Sequence, residues 1–159
     1  MPSNSEKITF IVIFKGASNG RISREFRRRL DQFLAELNYA TQNKAWTTLE
    51  VMNAWLDKIF FLCTRNQESS ICLILDSFQV HLHLSIQDKI RNDGARLVYI
   101  PEGLAGDFQP LDVGINGPFK HYIQDFTKNY TLLSDLDSGQ KRLQLTKSIS
   151  FAWSNISNE

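Results

Sequence analysis

The sequence predicts an α/β fold, with helices packed on a small mixed sheet. Three observations predict it. Ile71-Cys-Leu-Ile-Leu75 is an apolar run without polar alternation, the pattern of a strand covered on both faces, and it ends on an acid, Asp76. Ile8-Thr-Phe-Ile-Val-Ile-Phe14 is dense in β-branched and aromatic residues and stops at Lys15-Gly16. Around these runs lie segments whose apolar residues recur at helical spacing, so strands and helices alternate along the chain. The chain of 159 residues is long enough for a real core and reads as a single domain over 1–159.

The elements follow in order. Ile8–Phe14 is the first strand, expected in the centre of its sheet, and Gly16 to Gly20 is a turn. Residues 17–43 read in two ways. Phe26, Leu30, Phe33, Leu34 and Leu37 keep helical spacing and suggest a helix near 22–37, and the competing reading is an irregular basic insertion. Trp46 to Leu62 is the clearest helix, with Thr47 or Thr48 as N-cap and Glu50 in its first turn. Leu49, Met52, Trp55, Leu56, Ile59 and Phe60 form its apolar stripe. Asn66–Ser70 is a polar connector to the strand that ends at Asp76. A helix over Leu82–Asn92 follows, capped by Ser85 and closed at Asp93-Gly94. Arg96–Ile100 is a third strand, stopped by Pro101, and Glu102–Pro110 is a loop. Asp112 opens a helical segment through Phe126, with Pro118 either kinking it or marking its first turn. A last helix runs over Ser138–Asn155. Parallel strands joined this way need right-handed crossovers. Three clear strands are few beside the usual five or six of a complete sheet.

Composition narrows the function classes. With 18 basic and 17 acidic residues the net charge is +1, so bulk charge points to neither nucleic acid nor membrane. Arg21, Arg24, Arg27, Arg28 and Arg29 fall close together against Glu25 and Asp31. They read as a local basic patch or as an ordinary solvated face. Cys63 and Cys72 sit in apolar stretches and read as buried free thiols. With His81 and His83 they lack the paired spacing of a structural zinc site. Met1–Lys7 shows no apolar secretory signal, and no stretch reaches the roughly 20 residues of a membrane span. Nucleophile-elbow, dinucleotide and Walker phosphate motifs are absent.

The residues that carry chemistry are two acids. Asp76 ends a strand, where open α/β sheets bind ligands. Asp112 stands one helix and one strand further along, so the chain crosses over and returns beside its starting strand. Carboxylates converging at a sheet edge suit hard divalent cations acting on phosphodiesters. The plain alternative for Asp76 is a strand-end residue capping the next turn. His81, just after it, can contact phosphate, orient a ligand or pack at the helix start. His83 and His121 show no partner in the sequence.

Several motifs bear a family resemblance. Ile13-Phe-Lys-Gly16, Gln42-Asn-Lys-Ala-Trp46 with Met52 and Trp55-Leu56, and Leu73-Ile-Leu-Asp76-Ser-Phe-Gln-Val-His81 run in that order. Tyr99-Ile-Pro-Glu-Gly103 and Gln109-Pro-Leu-Asp112-Val-Gly-Ile-Asn-Gly-Pro-Phe-Lys120 complete the set. Together, over roughly residues 8 to 156, they resemble the DDE superfamily endonuclease domain of pogo, Tigger and jerky-type transposases and of genes domesticated from them. Gln42–Trp46, with Met52 and Trp55-Leu56, resembles that domain's first core helix. The resemblance implies a ribonuclease H-like fold, magnesium or manganese, DNA as partner, DNA cleavage with strand transfer, and a nuclear location. It places Asp76 and Asp112 as the second and third catalytic, metal-holding acids, with His81 as accessory. Arg21, Arg24, Arg27, Arg28 and Lys120 are the expected nucleic-acid contacts.

The family pattern also sets an expectation of loss. Its first acid stands on a strand ahead of the Ile-Phe-Lys-Gly strand, and Glu6 is the single acid ahead of Ile8, in the wrong place. The first strand, the second with it, the first acid and a preceding helix-turn-helix domain are therefore expected to be missing. The last helix is expected to stop inside a core element. The resulting expectation is a transposase-derived, catalytically incomplete DNA-binding domain, able to self-associate through an exposed sheet edge. The alternative is an active metal-dependent endonuclease and strand transferase, completed by upstream sequence or by another chain. A small-molecule binder has no motif in its favour.

Overall fold

Strand pairing divides the chain into two parallel ribbons. The computed structural model describes residues 8–29, 31–65, 70–129 and 135–156. Leu30, the connector at 66–69 and the opening residues through Lys7, with Glu6 among them, lie outside the described residues. Two compact units emerge: one of residues 1–45 and 114–159, the other of Trp46–Val113.

In the first unit β1 (Ile11–Lys15) pairs in parallel with β2 (Asn38–Gln42), Ile11 opposite Asn38 and Lys15 opposite Gln42. Between them runs α1 (Arg21–Arg28). A parallel pair needs such a crossover. The expected helix over 22–37 therefore ends early, at Arg28, because the chain must return to lay β2 beside β1. Of the apolar residues that suggested a longer helix, Phe26, Phe33 and Leu37 are buried. Phe26 and Phe33 meet edge-on with centroids 4.9 Å apart, and Phe26 stacks on Tyr39 at 5.4 Å. With Phe14 they form this unit's core, against which Val12, Ile22 and Leu143 pack. Burial pushes the Tyr39 phenol above its ordinary value. Expected in the centre of a sheet, β1 pairs with β2 alone among the described residues.

The same unit contains α6 (Asn116–Asn129) and α7 (Ser138–Asn155). Pro118 falls in the first turn of α6, one of its two expected positions. Phe119 and Trp153 meet edge-on at 6.2 Å, and Phe126 meets Phe151 at 5.3 Å. Asp137 caps α7 in a full capping box. Its Oδ1 accepts from the N–H groups of Gly139 (2.6 Å) and Gln140 (2.9 Å), and Gln140 Oε1 accepts from the Asp137 N–H. The N–H groups of Gln140 and Gly139, helped by the charges of Arg29 and Arg142, hold the Asp137 carboxyl below its ordinary value. A depressed carboxylate stabilises the fold above the unfolded pKa, roughly 3.9, and that contribution is lost as pH falls through the lower folded value. Asp137→Asn is accordingly expected to flatten the acid limb of a thermal-unfolding profile below about pH 4. An unchanged limb would remove Asp137 as its source.

In the second unit β3 (Cys72–Asp76) pairs in parallel with β4 (Arg96–Ile100), Asp76 opposite Ile100, with α4 (Leu84–Asn92) as the crossover. Among the described residues the sheets are thus two and parallel, not one and mixed. A continuous helical stretch precedes β3: α2 (Leu49–Trp55), a π-turn over Leu56–Phe60, and α3 (Phe61–Thr64). Thr48 is its N-cap, its side chain accepting from the Val51 N–H. The cap of α4 is His83 rather than Ser85, and Ser85 Oγ bonds His83 Nδ1 at 2.8 Å. Gly94, at φ +90°, ends that helix as expected. A short helix, α5 (Ala105–Phe108), interrupts the loop after β4.

The helices bury Leu56, Phe60, Ile86 and Ile90 against Leu75, with Leu73, Leu97 and Tyr99 packed on the same cluster. These residues line one face of the ribbon. The other face is open: Ile74 is 45% and Val98 47% exposed, and Cys72 is exposed beside them. The strand expected to be covered on both faces is therefore covered on one. The apolar run misled because Ile74 and Cys72 alternate outward with a period of two, whatever their polarity. Cys63 is exposed as well, so neither thiol is buried.

Candidate functional site

Asp76 is the last residue of β3, and the turn after it is built around its side chain. Asp76 Oδ1 accepts from the Phe78 N–H at 3.2 Å and lies 2.6 Å from His81 Nδ1. The bond to Phe78 is the turn cap expected of a strand-end aspartate. The contact with His81 goes further, tying a carboxylate that is a third exposed to an imidazole that is 17% exposed. His81 is held in turn. Its carbonyl accepts from Tyr99 Oη at 3.0 Å, and its ring meets Phe78 edge-on at 5.6 Å. Ser77 Oγ donates to the Ile100 carbonyl at 2.7 Å and staples this turn to the end of β4. The geometry gives His81 a contact that the sequence reading did not include, a bond to the Asp76 carboxylate itself. Asp76 Oδ2 takes no hydrogen bond among the described residues, so it faces its surroundings as the acceptor still available.

Asp112 lies beyond β4, in a π-turn over Leu111–Ile115, and is exposed. Its own N–H and that of Val113 both bond the Gln109 carbonyl at 3.0 Å, which sets the turn at the Gln-Pro-Leu-Asp motif. Wide turns of this kind recur at functional sites. Because β3 and β4 are parallel neighbours, the loop that carries Asp112 leaves from the strand end beside Asp76. Among the described residues no group of three or more His, Cys, Asp or Glu side chains could hold a metal ion. Oδ1 of Asp76 is already engaged with His81 and Phe78. The donors present therefore do not by themselves fit the magnesium or manganese that the resemblance implies, which needs several converging oxygens.

The basic residues lie in the other unit. Arg21, Arg24, Arg27 and Arg28 are exposed along α1, and Lys120 is exposed on α6. Arg27 turns back onto its own loop, donating to Asn19 Oδ1 and Ser23 Oγ at 3.1 Å each. Glu25, which read as a local counter-charge, pairs instead with Arg142 of α7, and both side chains are nearly buried. Sequence reasoning missed Arg142, because the 117 positions separating the two leave no local spacing to read. The two remaining histidines have partners after all: Ser85 for His83, and Asp125 at 3.0 Å for His121. No helix among the described residues is long and apolar enough to cross a membrane.

Comparison with known proteins adds a family. The sequence model described as DDE superfamily endonuclease matches residues 1–159. A mouse (Mus musculus) protein, "Pogo transposable element with KRAB domain", is 27% identical over 126 residues. That match covers 72% of this chain and 20% of the relative, so the chain spans about one fifth of the relative's length. No solved structure matches the chain.

Proposed function

The chain belongs to the DDE superfamily endonucleases, of the pogo transposable-element type, and from that premise we propose that it is a transposase-derived, DNA-handling domain that does not cleave DNA by its own residues. In this reading the fold is ribonuclease H-like. Asp76 and Asp112 are its second and third acids, His81 orients Asp76, and Arg21, Arg24, Arg27, Arg28 and Lys120 contact DNA. A protein that acts on chromosomal DNA works in the nucleus, so a nuclear location belongs to the same reading. One observation carries it: Asp76 closes β3 at the edge from which β4 leads on to the Asp112 turn. The engagement of Asp76 Oδ1 by both His81 and the Phe78 N–H supports the catalytically incomplete reading. Phosphodiester cleavage at such sites relies on metal ions to activate the attacking oxygen and stabilise the leaving one.

A second reading has its own observation. Among the described residues each two-stranded ribbon leaves unpaired strand edges, which are templates for association. A second copy could then supply the missing carboxylate. One experiment separates the readings. Purified chain is incubated with supercoiled plasmid and either Mg²⁺ or Mn²⁺ over a range of protein concentrations. The expected result is nicking no faster than the protein-free control throughout. Nicking that rises more steeply than linearly with chain concentration would favour the second reading. Nicking linear in concentration and abolished by Asp76→Asn and by Asp112→Asn would overturn the proposal.

A further inference from the structure

A cleft of about 470 Å³ lies in the first unit, between α1 and the first turn of α7, away from both acids in sequence and in unit. Its lining includes Arg21, Arg24, Arg28 and Arg29 from α1 and Arg142 from α7, against two acids, Glu25 and Asp137. Both acids are already committed. Glu25 pairs with Arg142 beneath the arginine row, and Asp137 caps α7. The side chains of Arg21, Arg24 and Arg28 make no hydrogen bond or ion pair among the described residues. They are spaced i, i+3 and i+7, which puts three guanidinium groups on one stripe of a helix. Like charges at such spacings repel, at a cost of a few tenths of a kcal/mol per pair. The N–H groups at the start of α7 are taken by Asp137, so any anion held here is held by the arginines. Arg142 Nε, a donor buried at the cleft without a partner among the described residues, adds to the surplus of donors.

We propose that this cleft is a phosphate-binding site, in which Arg21, Arg24 and Arg28 hold two or more adjacent phosphate groups. Guanidinium groups suit this ligand because their planar fork donates two parallel bonds to one phosphate. From Arg21 to Arg28 the helix rises about 10 Å, roughly three steps of a nucleic-acid strand. A nucleic-acid backbone and a free diphosphate share this chemistry, and the proposal rests on the functional reading above only in naming the first as the source. Arg27, bound to its own loop, and Lys120 do not line the cleft.

The test uses the full chain, its Arg21→Gln/Arg24→Gln/Arg28→Gln variant, and Lys58→Gln with Lys147→Gln, two exposed lysines that do not line the cleft, as the control. Circular dichroism confirms that each variant folds, since all five positions are exposed. The probes are a labelled duplex of arbitrary sequence, read by fluorescence anisotropy across a salt series, and inorganic pyrophosphate, read by thermal shift. The expected result is duplex binding whose salt slope shrinks by about three in the triple variant, at roughly 0.9 per phosphate, and is unchanged in the control. Pyrophosphate is expected to raise the melting temperature of the wild type and of the control but not of the triple variant. Pyrophosphate binding lost in the triple variant without duplex binding would keep the cleft and remove the nucleic-acid reading. Duplex binding equal in wild type and triple variant would overturn the cleft and leave the DNA reading standing. No response to either probe would overturn both.

Discussion

Glu25→Ala is expected to lower the free energy of unfolding by about 3–5 kcal/mol, the usual cost of stranding one partner of a buried ion pair. Glu25 and Arg142 are 13% and 14% exposed, so loss of the carboxylate leaves a guanidinium with little water to replace it. Glu25 Oε1 and Arg142 Nε already lack hydrogen bonds among the described residues. The pair is thus imperfectly satisfied, and an apolar substitute for both partners is expected to cost much less than either single change. Urea denaturation of Glu25→Ala, Arg142→Met and the double variant Glu25→Leu/Arg142→Met measures this, provided the m-values agree. Single-variant losses below about 1 kcal/mol would mean that the pair behaves as an exposed one. The result bears on the phosphate cleft, because this pair forms the base on which the α1 arginines stand. Gly139 belongs to that base too: a Cβ there would lie 2.7 Å from Glu25 Oε1 and 3.3 Å from Arg29 Nη1.

Phe60→Ala is expected to cost about 3–5 kcal/mol, the range for emptying a buried aromatic site. Phe60 is 2% exposed, stacks on Trp55 at 5.6 Å and meets Phe61 edge-on at 5.7 Å. It belongs to the cluster that holds Leu75, the residue before Asp76. A cavity there removes support from β3 and from the turn that joins Asp76 to His81. Phe60→Leu, which keeps much of the volume, is expected to lose less. Denaturant midpoints give the stability, and amide exchange along β3 shows whether the loss reaches the strand. A loss within about 0.5 kcal/mol, as at a surface position, would show that Phe60 does not support this core.

Element type was largely legible in the sequence. The helices at Leu49–Thr64, Leu84–Asn92 and Ser138–Asn155 follow from apolar spacing and from their caps and stops, which are local signals. The strands at Ile11–Lys15, Cys72–Asp76 and Arg96–Ile100 follow from β-branched runs ended by Gly, Asp or Pro. β2 was missed. Asn38-Tyr-Ala-Thr-Gln42 has one strong strand former among polar residues, and what makes it a strand is hydrogen bonding to β1, which no local spacing reports. The helix predicted from Trp46 begins at Leu49, after its Thr48 cap. The exposure of Ile74, Val98 and both cysteines was equally hidden, because burial depends on what packs on each face of a ribbon.

By itself the sequence determined the family motifs, the two acids at turn positions, and the order of strands and helices. These rest on residue type and short spacing. Only the tertiary structure decided that Asp76 is bonded to His81, that Glu25 answers Arg142, and that the α1 arginines border a cleft. Each of those facts depends on chain segments brought together by crossover and packing. The physical reason is the range of the forces involved: capping, periodicity and turn chemistry act over a few residues, whereas ion pairs and covered faces are set by which elements the fold makes neighbours.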